Sequence, residues 1–132
     1  MLGIYWMENN KMRDYKDLIS WQKSIRLAEE IYHLTKQLPK DETYGLSSQM
    51  RRAAVSIASN IAEGYGRESA VEYGRFLKIA RGSLYETETQ LFLCERLSLI
   101  DRAGMETALS LCSEIGKMLN TMLRHLQNKK EK

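Results

Sequence analysis

The sequence predicts an all-α fold, an antiparallel up-down-up-down four-helix bundle. Three observations lead there. Four segments carry apolar residues at alternating three- and four-residue steps, the period of an amphipathic helix. The connections between these segments are short, so neighbouring helices should run antiparallel. Strand signals are missing: no sustained period-two run occurs, and one proline with eight glycines leaves long uninterrupted stretches. A chain of 132 residues suits one domain with a real core.

Residues 1–13 are expected as a flexible N-terminal extension. Leu2, Ile4, Tyr5 and Trp6 form a run too short for a signal peptide, without a basic flank. The bundle itself is expected over residues 14–127. Its first helix should span residues 14–37, with Leu18, Trp21, Ile25, Ala28, Tyr32 and Thr35 as the main core stripe. Ile31, Leu34 and Leu38 broaden that stripe, and Pro39 stops the helix.

The second helix should start between residues 43 and 48 and end at Glu63 or Gly64. Gly64 or Gly66 is available for a left-handed cap. Its core stripe is Leu46, Met50, Ala53, Ile57, Ile61 and Gly64. Ala54, Val55, Ala58 and Ala62 add a second, small apolar face, so this helix should pack against more than one neighbour.

The third helix should open at Ser69, whose spacing to Glu72 fits a capping box, and reach about Ser98. Tyr73, Phe76, Leu77, Ala80, Leu84, Thr87, Leu91 and Cys94 form its core stripe. Gly82 is expected to mark close packing. Asp101 should cap the fourth helix, in which Met105, Ala108, Cys112, Ile115, Leu119, Met122 and Leu126 keep a heptad spacing. Residues 128–132 are expected as a charged tail.

The formal net charge is +3, and all of the excess lies in the middle of the chain. Residues 51–81 carry Arg51, Arg52, Arg67, Arg75, Lys78 and Arg81 against Glu63, Glu68 and Glu72, while the two flanking thirds are balanced. Arg51, Arg67, Arg75, Lys78 and Arg81 are the candidate nucleic-acid-binding residues, set against the alternative of a solvated face. Beside the core stripe of the second helix runs a polar stripe, Gln49, Arg52, Ser56, Asn60 and Glu63. Ser83 and Glu86 on the third helix are candidate partners for Asn60. These seven residues are read as a structural network fixing register, with direct ligand binding as the alternative. Arg52 and Glu63 are about three turns apart, so each should find its partner on another helix or subunit.

Catalytic patterns find no support. Glu30 and His33 make one half of a di-iron bundle motif, but the only other histidine is His125. Ser56, Ser59 and Ser83 lack the elbow and the base that activate a nucleophile. GYGR at residues 64–67 lacks the phosphate-loop spacing. No enzymatic activity, metal or cofactor is expected. Cys94 and Cys112 fall at apolar helix positions and read as buried free thiols, which suits a cytoplasmic protein. No stretch approaches the roughly 20 apolar residues of a membrane span.

The stretch GLSSQMRRAAVSIASNIAEGYGR at residues 45–67 resembles the signature of the small bacterial four-helix-bundle proteins encoded in intervening sequences of 23S ribosomal RNA genes. LISWQK (18–23), IYHLTKQLP (31–39) and FLKIARGSLYE (76–86) extend the resemblance over residues 14–126. It implies a homo-oligomer, a ring-shaped pentamer; the apolar pattern alone favours self-association through the second and third helices, with a dimer as the commonest outcome. The family is similar to accessory bundle proteins of diversity-generating retroelements, which implies structured RNA, DNA or a reverse transcriptase as partner. No catalytic residues carry over. The expected function is therefore a non-enzymatic scaffold binding nucleic acid through a repeated basic surface, with a protein–protein adaptor as the alternative.

Overall fold

The computed structural model describes residues 12–131, with side chains to residue 128. Most of the expected N-terminal extension lies outside the described residues. Four helices make the bundle: α1 (Ile19–Thr35), α2 (Leu46–Tyr65), α3 (Ala70–Arg96) and α4 (Glu106–Glu131). Each packs on the next, α4 returns to α1, and α2–α3 is the most extensive contact. α4 takes in most of the segment expected as a tail. Among the described residues, no helix is long and apolar enough to cross a membrane.

α1 starts later than expected because its first turn is a separate 3-10 turn, Tyr15–Asp17. Asp14 and Asp17 cap that turn reciprocally. Leu18, with ψ at 127°, breaks the chain before Ile19. The ends of the expected stripe, Leu18 and Thr35, are buried, but its middle is rotated toward the residues expected only to broaden it. Leu27, Ile31 and Leu34 are fully buried, together with Ser20 and Ser24, while Ile25 and Tyr32 are exposed and Trp21 is half-buried. Two small serines interrupt the apolar rhythm on the true inner face and hide it. The Ser24 hydroxyl tolerates burial by donating back to the Ser20 carbonyl at 2.7 Å.

α2 follows its expected core stripe closely: Met50, Ala53, Ile57, Ile61 and Gly64 are buried. Ala54 and Ala58 on the small face are buried too, but Val55 is exposed. The end of α2 corrects the sequence reading. No glycine among the described residues has a positive φ, so neither Gly64 nor Gly66 is a left-handed cap. Gly64 is there for space. A Cβ built on it would lie 2.7 Å from the Phe76 Cβ and 3.0 Å from Tyr73 Cδ1. Gly82, by contrast, faces open space, with no atom within 4 Å of a built Cβ. The close approach falls where α2 hands over to α3, and not in the middle of α3.

α3 opens on Ser69, whose hydroxyl accepts from the Glu72 amide at 3.1 Å. Every residue of its expected core stripe is buried, and Gln90 joins them. Two residues past the end of the helix, Ser98 is the one described non-glycine residue with positive φ (59°). The Leu99 amide reaches back to the Cys94 carbonyl at 2.8 Å and the Ser98 amide to that of Glu95 at 3.0 Å, a Schellman end. Glycine adopts this conformation without the Cβ penalty. Ser98→Gly should therefore stabilise the fold by about 0.5–1 kcal/mol in chemical denaturation, net of the flexibility glycine adds to the unfolded chain. A loss of stability would mean that the serine hydroxyl contributes more than the strained backbone costs.

Asp101 accepts from the Gly104 amide at 2.7 Å and opens a 3-10 turn, Ala103–Met105, that leads into α4. From there Met105, Ala108, Cys112, Ile115, Leu119 and Met122 are all buried. Cys94 and Cys112 are buried free thiols, as expected. Cys94 donates to the Met50 sulfur at 3.7 Å, and burial pushes the Cys112 thiol up to about 12.

Candidate functional site

The polar stripe of α2 faces α3 across a cleft of about 500 Å³. Gln49, Arg52, Ser56, Ser83 and Glu86 line it, so five of the seven predicted network residues meet there. Ser83 Oγ donates to Ser56 Oγ at 2.9 Å, and Asn60 Nδ2 donates to the same hydroxyl at 2.9 Å. Asn60 thus reaches α3 through Ser56, one step less directly than the sequence suggested. Glu86 accepts from Gln90 Nε2 at 3.4 Å, while Gln90 Oε1 is buried without a partner. Glu63 finds its partner close by: Arg67, one turn on, lies 3.7 Å away. Arg52 makes no side-chain hydrogen bond or ion pair among the described residues.

The five basic candidates separate into three places. Arg51 is turned toward α1, where Nε donates to Thr35 Oγ1 at 2.8 Å and the guanidinium lies 4.5 Å from the Tyr32 ring centroid. It fastens the α1–α2 hairpin. Arg67 lies over the Phe76 ring at 4.8 Å, on the same ring as Arg75 at 4.7 Å. Arg75, Lys78 and Arg81 come together on the α3 wall of a second cleft, about 370 Å³, between α3 and α4. No carboxylate lines it. Leu123 and Leu126 form the α4 wall.

The helical period explains this wall. Steps of three residues from Arg75 through Lys78 to Arg81 keep the three side chains on neighbouring rows of one face. Two of the three are oriented by partners. Arg81 donates across the cleft to Asn120 Oδ1 at 2.9 Å, and Arg75 pairs with Glu72 at 3.2 Å. The hydrogen bond and charge of Arg75 hold the Glu72 carboxyl below its ordinary range, and Glu72 in turn raises Arg75. Lys78 is exposed and carries its charge into the open. Such a wall can bind an anion, and the leucines opposite can cover an apolar part of it.

Sequence reasoning named the three cations but missed their setting. The Glu72–Arg75 pair was visible as a three-residue spacing on a helix. Asn120, Leu123 and Leu126 lie some forty residues further along, and only the docking of α4 on α3 brings them to the site.

The chain's relatives agree with this architecture. A family model described as 23S rRNA-intervening sequence protein matches residues 16–121. A crystal structure of a protein with unknown function from the S23 ribosomal protein family of Bacteroides thetaiotaomicron is similar, with a TM-score of 0.74 and 30% identity. The match covers 80% of this chain and 98% of that one. None of the curated proteins is similar enough to match. A family match over most of the bundle, joined to a relative matched almost end to end, places this sequence: the chain belongs to the 23S rRNA-intervening sequence protein family.

Proposed function

We propose that the protein is a non-enzymatic, self-associating helical scaffold that binds nucleic acid, structured RNA above all, through the α3–α4 cleft. One observation carries this: Arg75, Lys78 and Arg81 share a wall with no carboxylate lining the cleft. The family's tie to 23S rRNA supports RNA as the polyanion. The ring-shaped pentamer implied by the resemblance would repeat the wall around an axis and add the fields at its centre. A retroelement reverse transcriptase is the protein partner that fits the same reading. Phosphate neutralisation supplies affinity without reading bases, so one such wall per subunit suffices for a sequence-tolerant scaffold.

The test is anisotropy of a labelled structured RNA and a matched DNA duplex, titrated across a salt series. Affinity should fall about tenfold or more between about 50 and 200 mM salt. Lys78→Glu should weaken binding to every sequence alike and flatten the salt slope by about one unit for each subunit engaged. Light scattering should return the mass of five chains for both proteins. Salt-independent binding, or none at low salt, would overturn the reading.

The adaptor alternative has its own observation. Ile25, Tyr32 and Val55 are exposed along the α1–α2 groove, and Tyr85, Phe92 and Leu93 along α3. If the RNA titration fails, these faces define where a partner protein docks.

A further inference from the structure

At the other pole of the bundle, the turn between α1 and α2 borders a cleft of about 470 Å³. Lys36, Lys40, Arg51 and Arg52 line it, and none of its lining residues is a carboxylate. Internal pairing does not account for this charge. The side chains of Lys36, Lys40 and Arg52 make no hydrogen bond or ion pair among the described residues. Arg51 is held from behind by Thr35 Oγ1 at 2.8 Å and the Tyr32 carbonyl at 3.5 Å. Those bonds use two of its five N–H groups and fix the guanidinium with the rest free.

The N-terminus of α2, a helix of 20 residues, opens on the same cleft. Its N-cap residue, Gly45, has no side chain to satisfy the first amides, and the nearest carboxylate, Glu42, reaches only the Leu46 amide at 3.4 Å. Ser47 supplies a separate observation. It lines the cleft, is 8% exposed, and its hydroxyl has no partner among the described residues. The residue is mostly covered, and its hydroxyl is left open to donate into the cleft.

Complementing the C-terminal dipole of α1 is the purely structural role for cations here. That explains Arg51, which touches a carbonyl of α1. It does not explain Lys40 and Arg52, which touch none, nor the empty-handed Ser47.

We propose that this cleft binds a phosphate monoester. The group carries nearly two negative charges near pH 7 and three acceptor oxygens. Arg51 and Arg52 supply guanidinium N–H groups, Lys36 and Lys40 supply charge, and the Ser47 hydroxyl and the first amides of α2 complete the set. The site stands apart from the α3–α4 cleft, and neither depends on the other.

Isotope-labelled full-length protein is titrated with inorganic phosphate at constant ionic strength, following amide and arginine Nε resonances. Saturable shifts are expected at residues 45–48 and at Arg51 Nε. The double variant Lys40→Gln/Arg52→Gln should raise the Kd about tenfold while leaving the melting temperature unchanged. Should that variant melt early, Ser47→Ala takes its place under the same criterion. Shifts that never saturate, shifts matched by chloride, or wild-type affinity in the variant would overturn the site. A short oligonucleotide with and without a 5′-phosphate then identifies the source. Displacement of phosphate by the phosphorylated form alone assigns a nucleic-acid end. Displacement by neither assigns a small phosphorylated compound. Equal displacement by both would replace the monoester with a backbone phosphodiester and overturn the proposal.

Discussion

Gly64→Ala is expected to cost the fold about 2–3 kcal/mol, near the upper end for forcing volume into a packed contact. The added methyl would meet the Cβ of Phe76 at 2.7 Å, Tyr73 Cδ1 at 3.0 Å and the Tyr73 carbonyl oxygen at 3.3 Å. None of these is the far end of a flexible side chain. Either α2 and α3 separate where they are joined by a short turn, or Tyr73 and Phe76 leave the core. For a domain of this size the melting temperature should drop by roughly 10 °C. Gly82→Ala is the control of opposite sign. Its methyl would project into open space on a helix, so the propensity gain of about 1 kcal/mol should appear unopposed. Thermal melts at one fixed protein concentration decide the matter, since self-association shifts apparent stability. Equal losses in both variants would show that the α2–α3 crossing does not need the glycine.

Leu27→Ala is expected to be of similar size, about 3 kcal/mol. Leu27 is completely buried, with Ile31 and Leu34 beside it in the core. Ile25→Ala, two residues earlier and 36% exposed, should cost under about 1 kcal/mol. The pair tests the rotation of α1 directly. A larger loss at Ile25 than at Leu27 in urea denaturation would restore the stripe suggested by spacing alone. It would equally signal that Ile25 is covered by another subunit, which the concentration dependence of the midpoint separates.

The contrast between α1 and α4 shows what the sequence made legible. From the turn before α4 into the helix, the stripe Met105, Ala108, Cys112, Ile115, Leu119 and Met122 keeps a heptad and is buried throughout. In α1 two apolar stripes compete, and the inner one contains Ser20 and Ser24. Periodicity counts side-chain polarity, so it favoured the stripe with Trp21, Ile25 and Tyr32. Ser24 satisfies itself on the Ser20 carbonyl while the Ser20 hydroxyl is buried without a partner, and only packing reveals that both face inward. The candidate site divides the same way. Arg75, Lys78 and Arg81 share a helix, and their common wall follows from spacing. Arg51 carries the same charge on the same evidence, yet Thr35 and Tyr32 claim it, and no local rule foretells that a neighbouring helix ends there. Gly64 and Gly82 were both visible as glycines, and only the distance to Phe76 tells them apart.

The Ser56–Ser83 hydrogen bond also serves as a ruler. It marks where α2 and α3 are level. Arg51 lies five residues before Ser56 and Lys78 five before Ser83, on helices running in opposite directions. At 1.5 Å per residue the two cations are displaced to opposite sides by roughly 15 Å along the bundle axis. That is about two Debye lengths at physiological ionic strength, so the poles hardly feel each other's charge. Neutralising one leaves the ion atmosphere of the other nearly intact, so the bundle presents two electrostatically separate basic patches.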